Sequence, residues 1–406
     1  MLIIKIYILM FLALWLIAII VAYGYGRVGR RVSKFQKFSP VSTPLPPLTV
    51  VIPAHNQATA LRRHLPAILA QDYDLFEVIV VNAGSTDDTK DVIERFEFQH
   101  ANLHHTFTPS SARDISLDRL ALTLGFRAAT YDWIVVTRPD CEPASPNWLT
   151  RIGETIVAPQ CGPQGKRLKG EPDIVIGQAV YAESRHSWLN MKSGFARLWE
   201  DFSNFEHVLT GHAAVRADGC NLAYRKSLFI EHQGFSEHLN LKLGAEELLV
   251  NATSKPSNTA LMLTPSAIVI QDPLPDERTW KKQRLFACET RRHRRHTWFH
   301  NFRKGIRLLM PWVLFAGVAA GVALPFIVNI DLDVTSIYSA VAITALLAIV
   351  YICVKISSFN RTARTLSYRS YYLSFLLFEL RLPFWRFSDA IAHKRASRNE
   401  FRKKYV

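Results

Sequence analysis

The sequence predicts an α/β domain carried on membrane-spanning helices, and three observations carry that reading. A strand-helix-strand pattern opens at Leu48. An apolar run, interrupted only by Lys5, fills Leu2 to Tyr25. Two further apolar runs, Leu308 to Val328 and Thr335 to Val354, follow the polar body of the chain. At 406 residues there is room for one sizeable globular domain plus extra segments.

The first apolar run is long enough to cross a bilayer. A cleaved signal peptide would need a small-residue cleavage site, and none stands out. Arg27, Arg30, Arg31, Lys34 and Lys37 follow at once, and such a basic flank stays in the cytoplasm, leaving the N-terminus outside. The expected division is an anchor at 1–25, a basic and Pro-rich linker at 26–47, and a soluble domain at 48–295. Two spans at 308–354 and a basic tail with an interfacial helix at 355–406 complete it.

Within the soluble domain, Leu48 to Ile52 is short, rich in β-branched residues and bounded by Pro44 to Pro47 and Pro53, as expected of a buried strand. Glu77 to Val81 is a second strand. Leu61, Leu65, Ile68 and Leu69 recur between them at helical spacing, which makes a βαβ unit with a parallel pair. In open α/β sheets ligands bind beyond the carboxyl ends of the strands, here the loops Pro53 to Gln57 and Asn82 to Asp88. Ser85 or Thr86, followed by Asp87 and Asp88, is expected to cap the next helix. Further strands are expected at Leu103 to Phe107, Trp133 to Thr137 and Ile174 to Gly177. Helices are expected at Asp118 to Thr130, Asn147 to Val157, 186–209 and Arg278 to Arg307, the last strongly basic with Trp280, Phe286, Trp298 and Phe302 interleaved.

Basic residues bracket the two late apolar runs, so both outer ends should be cytoplasmic and the acidic loop Asn329 to Val334 external. Tyr368 to Phe387 mixes aromatics with Glu379, Arg381 and Arg386, and Pro383 is expected to break it. That mixture suits a segment lying in the membrane interface. The net charge of +15 concentrates beside apolar segments, which points to a membrane surface and away from nucleic acid. The five cysteines show no CxxC pair or metal spacing, which suits a reducing compartment and excludes a disulfide scaffold.

Val51-Ile52-Pro53 with Asn56, and Gly84-Ser85-Thr86-Asp87 with Thr89, resemble the two opening motifs of the family 2 glycosyltransferases, whose nucleotide-sugar domain has the GT-A fold. Two departures stand out: Gln57 replaces the usual Glu, and Asn82-Ala83 replace a pair of aspartates, the second of which usually contacts the base. The resemblance implies that Pro53, Ala54, Asn56, Asn82, Gly84 and Ser85 line the donor site.

The segment Thr137-Arg138-Pro139-Asp140-Cys141-Glu142-Pro143, with Trp148-Leu149, resembles the element in which a DxD pair holds a divalent metal against the donor's diphosphate. Carboxylate oxygens suit Mg²⁺ or Mn²⁺. Arg138 stands at the first acid and Asp140 at the second. Three readings stay open: Arg138 pairs with phosphate itself, since a guanidinium matches phosphate geometry; Asp140 and Glu142 form a shifted metal pair; or Asp140 only caps a turn.

Gly219-Cys220-Asn221-Leu222-Ala223-Tyr224-Arg225, with Gly234-Phe235, is similar to the family's Asn-bearing loop, which places Asn221 beside the donor. Gly244-Ala245-Glu246-Glu247 falls at the element whose carboxylate takes the proton of the acceptor hydroxyl. Glu247 holds the usual Asp position, with Glu246 as orienter or substitute; the plainer reading is a solvated first helical turn. Gln283 survives from the QxxRW element of polymerising members but lacks the Arg-Trp pair. The His293-Arg-Arg-His296 run has no partner motif for a metal and suits a phosphate- or lipid-contacting helix.

The resemblance thus implies a membrane-anchored bacterial-type transferase of cell envelope glycan biosynthesis. It would be multi-pass in the inner (cytoplasmic) membrane with its catalytic domain in the cytoplasm. It would move a sugar from a nucleotide-sugar donor to a lipid-linked or glycan acceptor with inversion, using a divalent cation. The competing expectation is a catalytically impaired relative that serves as a membrane-bound binding or scaffold partner.

Overall fold

The computed structural model describes residues 2–35, 44–109, 116–157, 170–184, 187–235, 241, 244–295, 297–327 and 334–405. It divides into two compact units, one of residues 32–297 with 387–406 and the other of residues 1–31 with 298–386.

The larger unit opens with β1 (Leu48–Ala54), α2 (Ala58–Leu69) and β2 (Phe76–Asn82), after α1 (Leu2–Phe35). β1 and β2 pair in parallel from Leu48 opposite Phe76 to Ala54 opposite Asn82. Pro53 lies inside β1 and does not end it, because Ala83 N–H still donates to Ala54 O at 2.7 Å. α3 (Thr89–Gln99), β3 (Leu103–Phe107), α4 (Leu117–Ala128) and β4 (Trp133–Val136) follow. β3 adds to β2, and β4 returns to the free edge of β1, all parallel. The reversal of strand order opens a crevice beyond the carboxyl ends of β1 and β4.

Beyond β4 come β5 (Cys141–Pro143), α5 (Trp148–Val157), β6 (Ile174–Ile176), β7 (Ala179–Tyr181), α6 (Ser187–Leu209) and β8 (Leu222–Arg225). The next elements are α7 (Lys226–Glu231), α8 (Ala245–Thr253), β9 (Thr259–Leu261), β10 (Val269–Gln271) and α9 (Glu277–His293). The main sheet runs β3-β2-β1-β4-β8-β6-β9, with β8 antiparallel to both neighbours, and β5-β10-β7 form a small second sheet. The result is the GT-A-like α/β architecture that the resemblance implied.

One core joins both sheets: Val50, Ile52, Val78 and Val80 pack with Leu61 and Leu65 of α2 and with Trp148 of α5. On the other face α4 lies so close to β1 that a Cβ on Gly125 would sit 2.4 Å from Val51 Cγ1. Only a residue without a side chain permits that approach.

The smaller unit consists of the N-terminal part of α1 with α10 (Trp298–Ile327), α11 (Val334–Thr365) and the first part of α12 (Leu373–Tyr405). Among the described residues, Phe11–Ser33 and Val341–Thr365 are long and apolar enough to cross a membrane. Three expectations need correction. The basic segment after Arg278 is two helices, since α9 ends at His293 and α10 starts at Trp298. That start lies ten residues ahead of the expected span. Pro383 does not break the third segment but lies within α12, where Glu379, paired with Lys355 at 2.7 Å, and the buried Leu382 anchor the turn just ahead of it. The expected linker at 26–47 also needs correction, since α1 continues through residues 26–35; residues 36–43 of it, and the expected loop Asn329 to Val334 up to residue 333, lie outside the described residues.

Candidate active site

Two loops at the carboxyl ends of β1 and β2 are sewn together. Asn56, at a positive φ of 52°, accepts from Thr86 N–H at 2.8 Å through its Oδ1. Its own N–H donates to Ser85 Oγ at 3.0 Å. Asn82 Oδ1 accepts from Ser85 N–H at 2.9 Å, and Gly84 takes a left-handed φ of 69° to make the turn. The capping expected of Ser85 or Thr86 belongs instead to Asp87. Its carboxylate accepts from Ala58 N–H, at the start of α2, and from Thr89 N–H at the start of α3. Much of this motif therefore fixes the loop backbones, which is why it is legible without the aspartate pair.

Ala83 carries no acid, but its carbonyl is engaged by the neighbouring loop: His55 Nδ1 lies 2.8 Å from Ala83 O. A carbonyl only accepts, so Nδ1 carries the hydrogen. His55 is exposed at the crevice and was not singled out from sequence.

Beyond β4, Arg138 lies between two carboxylates. Its Nη1 donates to Asp118 Oδ1 at 2.6 Å and its Nη2 to Glu246 Oε1. The loop at Gly219 closes over this pair, and a Cβ there would stand 2.2 Å from Glu246 Oε1. Glu246 is therefore a buried counter-charge to Arg138. Burial pushes its carboxyl above the ordinary range; Arg138 offsets part of that rise and Asp118 adds to it.

Asp140 Oδ2 accepts from Gln271 Nε2 at 2.9 Å. Glu142 serves a different neighbour: its Oε2 faces His64 Nδ1 of α2 at 3.0 Å, while His64 Nε2 faces Asp272 Oδ2 at 3.0 Å. The Glu142 carboxylate thus anchors α2 through its Oε2, a role that the shifted Asp140–Glu142 pair did not foresee. Among the described residues no group of three or more His, Cys, Asp or Glu is placed to hold an ion. Asp140 alone suits a hard cation that takes one or two carboxylates from the protein and the rest of its shell from phosphate.

From Asp140 a continuous polar chain leads to Glu247. Gln271 Oε1 accepts from Arg197 Nη1 at 2.7 Å, and Arg197 Nη2 donates to Asp218. Arg216 lies 4.0 Å from Asp218, bonds Asp201 at 2.8 Å, and stands 3.8 Å from Glu247 Oε2. Arg294 closes the chain with Nε and Nη2 both 2.5 Å from Glu247 Oε1. Burial would raise the Asp218 carboxyl, but Arg197 and Arg216 outweigh it and hold it well below the ordinary range. Glu247 is thus oriented by two arginines and less deeply buried than Glu246.

Asn221 does not line the donor site. Its Oδ1 accepts from Trp148 Nε1 at 3.1 Å, and its Nδ2 donates to the carbonyls of Gln178 and Ala267, each at 2.8 Å. Both amide hydrogens and the amide oxygen of that side chain are engaged inside the core. Pro53 and Ala54 are buried strand residues whose contribution to the crevice is backbone shape. Sequence reasoning missed Asp118, Gln271, Arg197, Arg216, Asp218 and Arg294. Of these only Arg294 lay in a segment that stood out, the basic run after α9, and its partner is a carboxylate, not lipid.

Residues 49–232 match the family described as Glycosyl transferase family 2. The probable glycosyltransferase YdaM of Bacillus subtilis is 34% identical over 103 residues, 24% of each chain. Glycosyltransferase AglE of Haloferax volcanii is 28% identical over 118 residues, 29% of this chain and 37% of that one. The chain thus spans about a quarter to a third of these relatives' length. Among solved structures, a mannosyltransferase from Pyrobaculum calidifontis in complex with GDP-Man and Mn²⁺ aligns over 87% of this chain and 99% of that one, with 19% identity and a TM-score of 0.48. TarS from S. aureus, in complex with UDP-GlcNAc, aligns over 78% and 73%, with 13% identity and a TM-score of 0.39. The motifs lie in order along β1, β2, β4, β8 and α8, and residues 49–232, from β1 to just past α7, are the part of the chain that matches glycosyl transferase family 2.

Proposed function

We propose that the protein transfers a sugar from a nucleotide-sugar donor to a hydroxyl of a lipid-linked or glycan acceptor, with inversion. The observation that carries this reading is the polar chain linking Asp140 at the end of β4 to Glu247 at the start of α8. It supports a site that has a phosphate-facing end and a base end held in one frame. Glu247 takes the proton of the acceptor hydroxyl as its oxygen bonds to the anomeric carbon. The bond from that carbon to the diphosphate breaks on the opposite face, and its electron pair leaves with the nucleotide diphosphate. Arg294 and Arg216 hold the carboxylate in place, and positioning of this kind accounts for much of such catalysis. Asp140 would hold a Mg²⁺ or Mn²⁺ ion, which supplies positive charge against the leaving diphosphate.

The two apolar helices support a membrane-bound protein, and the basic flanks support a cytoplasmic catalytic domain. The rival reading, a non-catalytic relative acting as a scaffold, draws on Ala83 and on Arg138 in an acid's place. Nucleotide release from UDP-, GDP- and dTDP-sugars separates the two. Asp140→Asn and Glu247→Gln should each abolish release with the fold intact, whereas full activity of Glu247→Gln would move the base elsewhere. A reporter fused after Val334 should appear outside and one at the C-terminus inside; any other pattern refutes the orientation.

A further inference from the structure

The smaller unit is built inside out. Along α10, Trp298, Phe302, Ile306 and Leu309 fall on one helical face and are exposed, while His300, Lys304 and Arg307 fall on the other and are buried. α12 repeats the arrangement. Leu373, Leu377, Leu380 and Phe384, at spacings of four, three and four, are exposed. Glu379 is buried, with Lys355 Nζ 2.7 Å from its Oε2 and Tyr25 donating to its Oε1 at 3.1 Å. A water-facing helix shows the opposite pattern, with its charged face outward.

We infer that the first three turns of α10 and the first three turns of α12 lie against the bilayer itself, at the boundary of acyl chains and headgroups. Both segments carry charged residues, so hydropathy passes over them; His300, Lys304 and Arg307 of α10 and Glu379 of α12 are turned inward, which is where ionisable groups at membrane depth are found, while Arg381 of α12 faces outward at the rim. The stripes are continuous in kind with Phe11–Ser33 and Val341–Thr365, whose outward faces are likewise apolar, as at Leu16, Ile20, Leu346 and Ile349. The rim has the chemistry of a headgroup layer. Trp298 stacks on Phe302, and Arg361, Arg364, Arg369 and Arg381 are exposed beside the apolar surface. Aromatic and basic residues concentrate at that depth, where the latter meet lipid phosphates. This inference rests on the proposal that the protein is membrane-bound and adds to it which faces meet lipid.

The test places photoreactive benzoylphenylalanine at Trp298, Ile306, Leu377 or Phe384 of the full chain. The variants are reconstituted in phosphatidylethanolamine and phosphatidylglycerol vesicles whose acyl chains carry an alkyne tag. Leu346, in the second apolar helix, and Phe98, 95% exposed on α3, serve as references. Lipid adducts are expected at all four positions at about the Leu346 level, and roughly tenfold above Phe98. Labelling at Leu346 without labelling at the four positions overturns this inference and leaves the membrane reading standing. Loss of labelling at Leu346 as well overturns both, and cross-links to a second copy in place of lipid overturn the choice of partner.

Discussion

Replacing Arg138 by methionine should destabilise the larger unit, and the cost can be assigned to one partner. The Glu246 side chain is 3% exposed, whereas Asp118, on the other side of the guanidinium, is 22% exposed. Removing one member of a buried ion pair strands the other charge and costs about 3–5 kcal/mol. A carboxylate that water can reach loses only about 0–1 kcal/mol with its partner. Almost the whole penalty in Arg138→Met should therefore come from Glu246, and adding Glu246→Gln should recover about 2–4 kcal/mol of it. Adding Asp118→Asn should recover no more than about 1 kcal/mol. Denaturant unfolding of the full chain in detergent, followed by the fluorescence of Trp148 and Trp199, both buried in this unit, measures each step. In thermal terms the single variant should lose roughly 6–20 °C. A single variant within 1 kcal/mol of the parent, or larger rescue by Asp118→Asn, would refute the placement of Glu246 as the buried counter-charge.

Three further outcomes follow from the same geometry. Glu247→Gln should lower kcat by about 10²–10⁴ with donor affinity retained, whereas Glu246→Gln should change stability and donor affinity ahead of kcat; steady-state kinetics with donor titration separates them. Burial holds the folded Glu246 carboxyl above its ordinary 4.5, so the folded state binds the extra proton. Its contribution to stability is complete below 4.5 and is lost as pH rises through the raised value; Glu246→Gln should remove that part of the slope. Asp218 acts in the opposite sense, since its depressed carboxyl contributes above 3.8 and is lost on acidification. Asn221→Ala removes the partner of the Trp148 indole N–H and one bond each from the Gln178 and Ala267 carbonyls, of which Gln178 keeps the Val269 N–H, at about 1–3 kcal/mol for each buried group left unpaired. It should lower the melting temperature while leaving the dissociation constant of any donor unchanged.

The parts of the fold that could be read from sequence are those set by local pattern. The apolar runs at Leu48 and Glu77 and the spacing of Leu61, Leu65 and Ile68 defined the βαβ unit, and Leu103 to Phe107 forms β3 with the same bounds. Motif order placed Arg138, Asp140, Glu246 and Glu247 on the elements that carry them. What sequence could not supply was partnership across long separations. Glu142 pairs with His64, 78 residues away, and Asn221 with Trp148, 73 residues away. Both looked chemically available because nothing local satisfies them. Pro383 misled for a related reason: the rule that proline breaks helices is a local one, and tertiary packing of α12 overrides it. The inward turn of Lys304, Arg307 and Glu379 is likewise invisible to hydropathy, which counts a charge without knowing which way it faces.

The central claim is that the crevice beyond β1 and β4 binds a nucleotide-sugar despite Ala83 and Arg138. Calorimetric titration of the full chain in detergent with UDP-, GDP- and dTDP-sugars, with and without Mg²⁺ or Mn²⁺, tests it most directly. Saturable binding of at least one donor, weakened by Asp140→Asn and tightened by the cation, is the expected result. No binding of any donor under either condition would contradict the account.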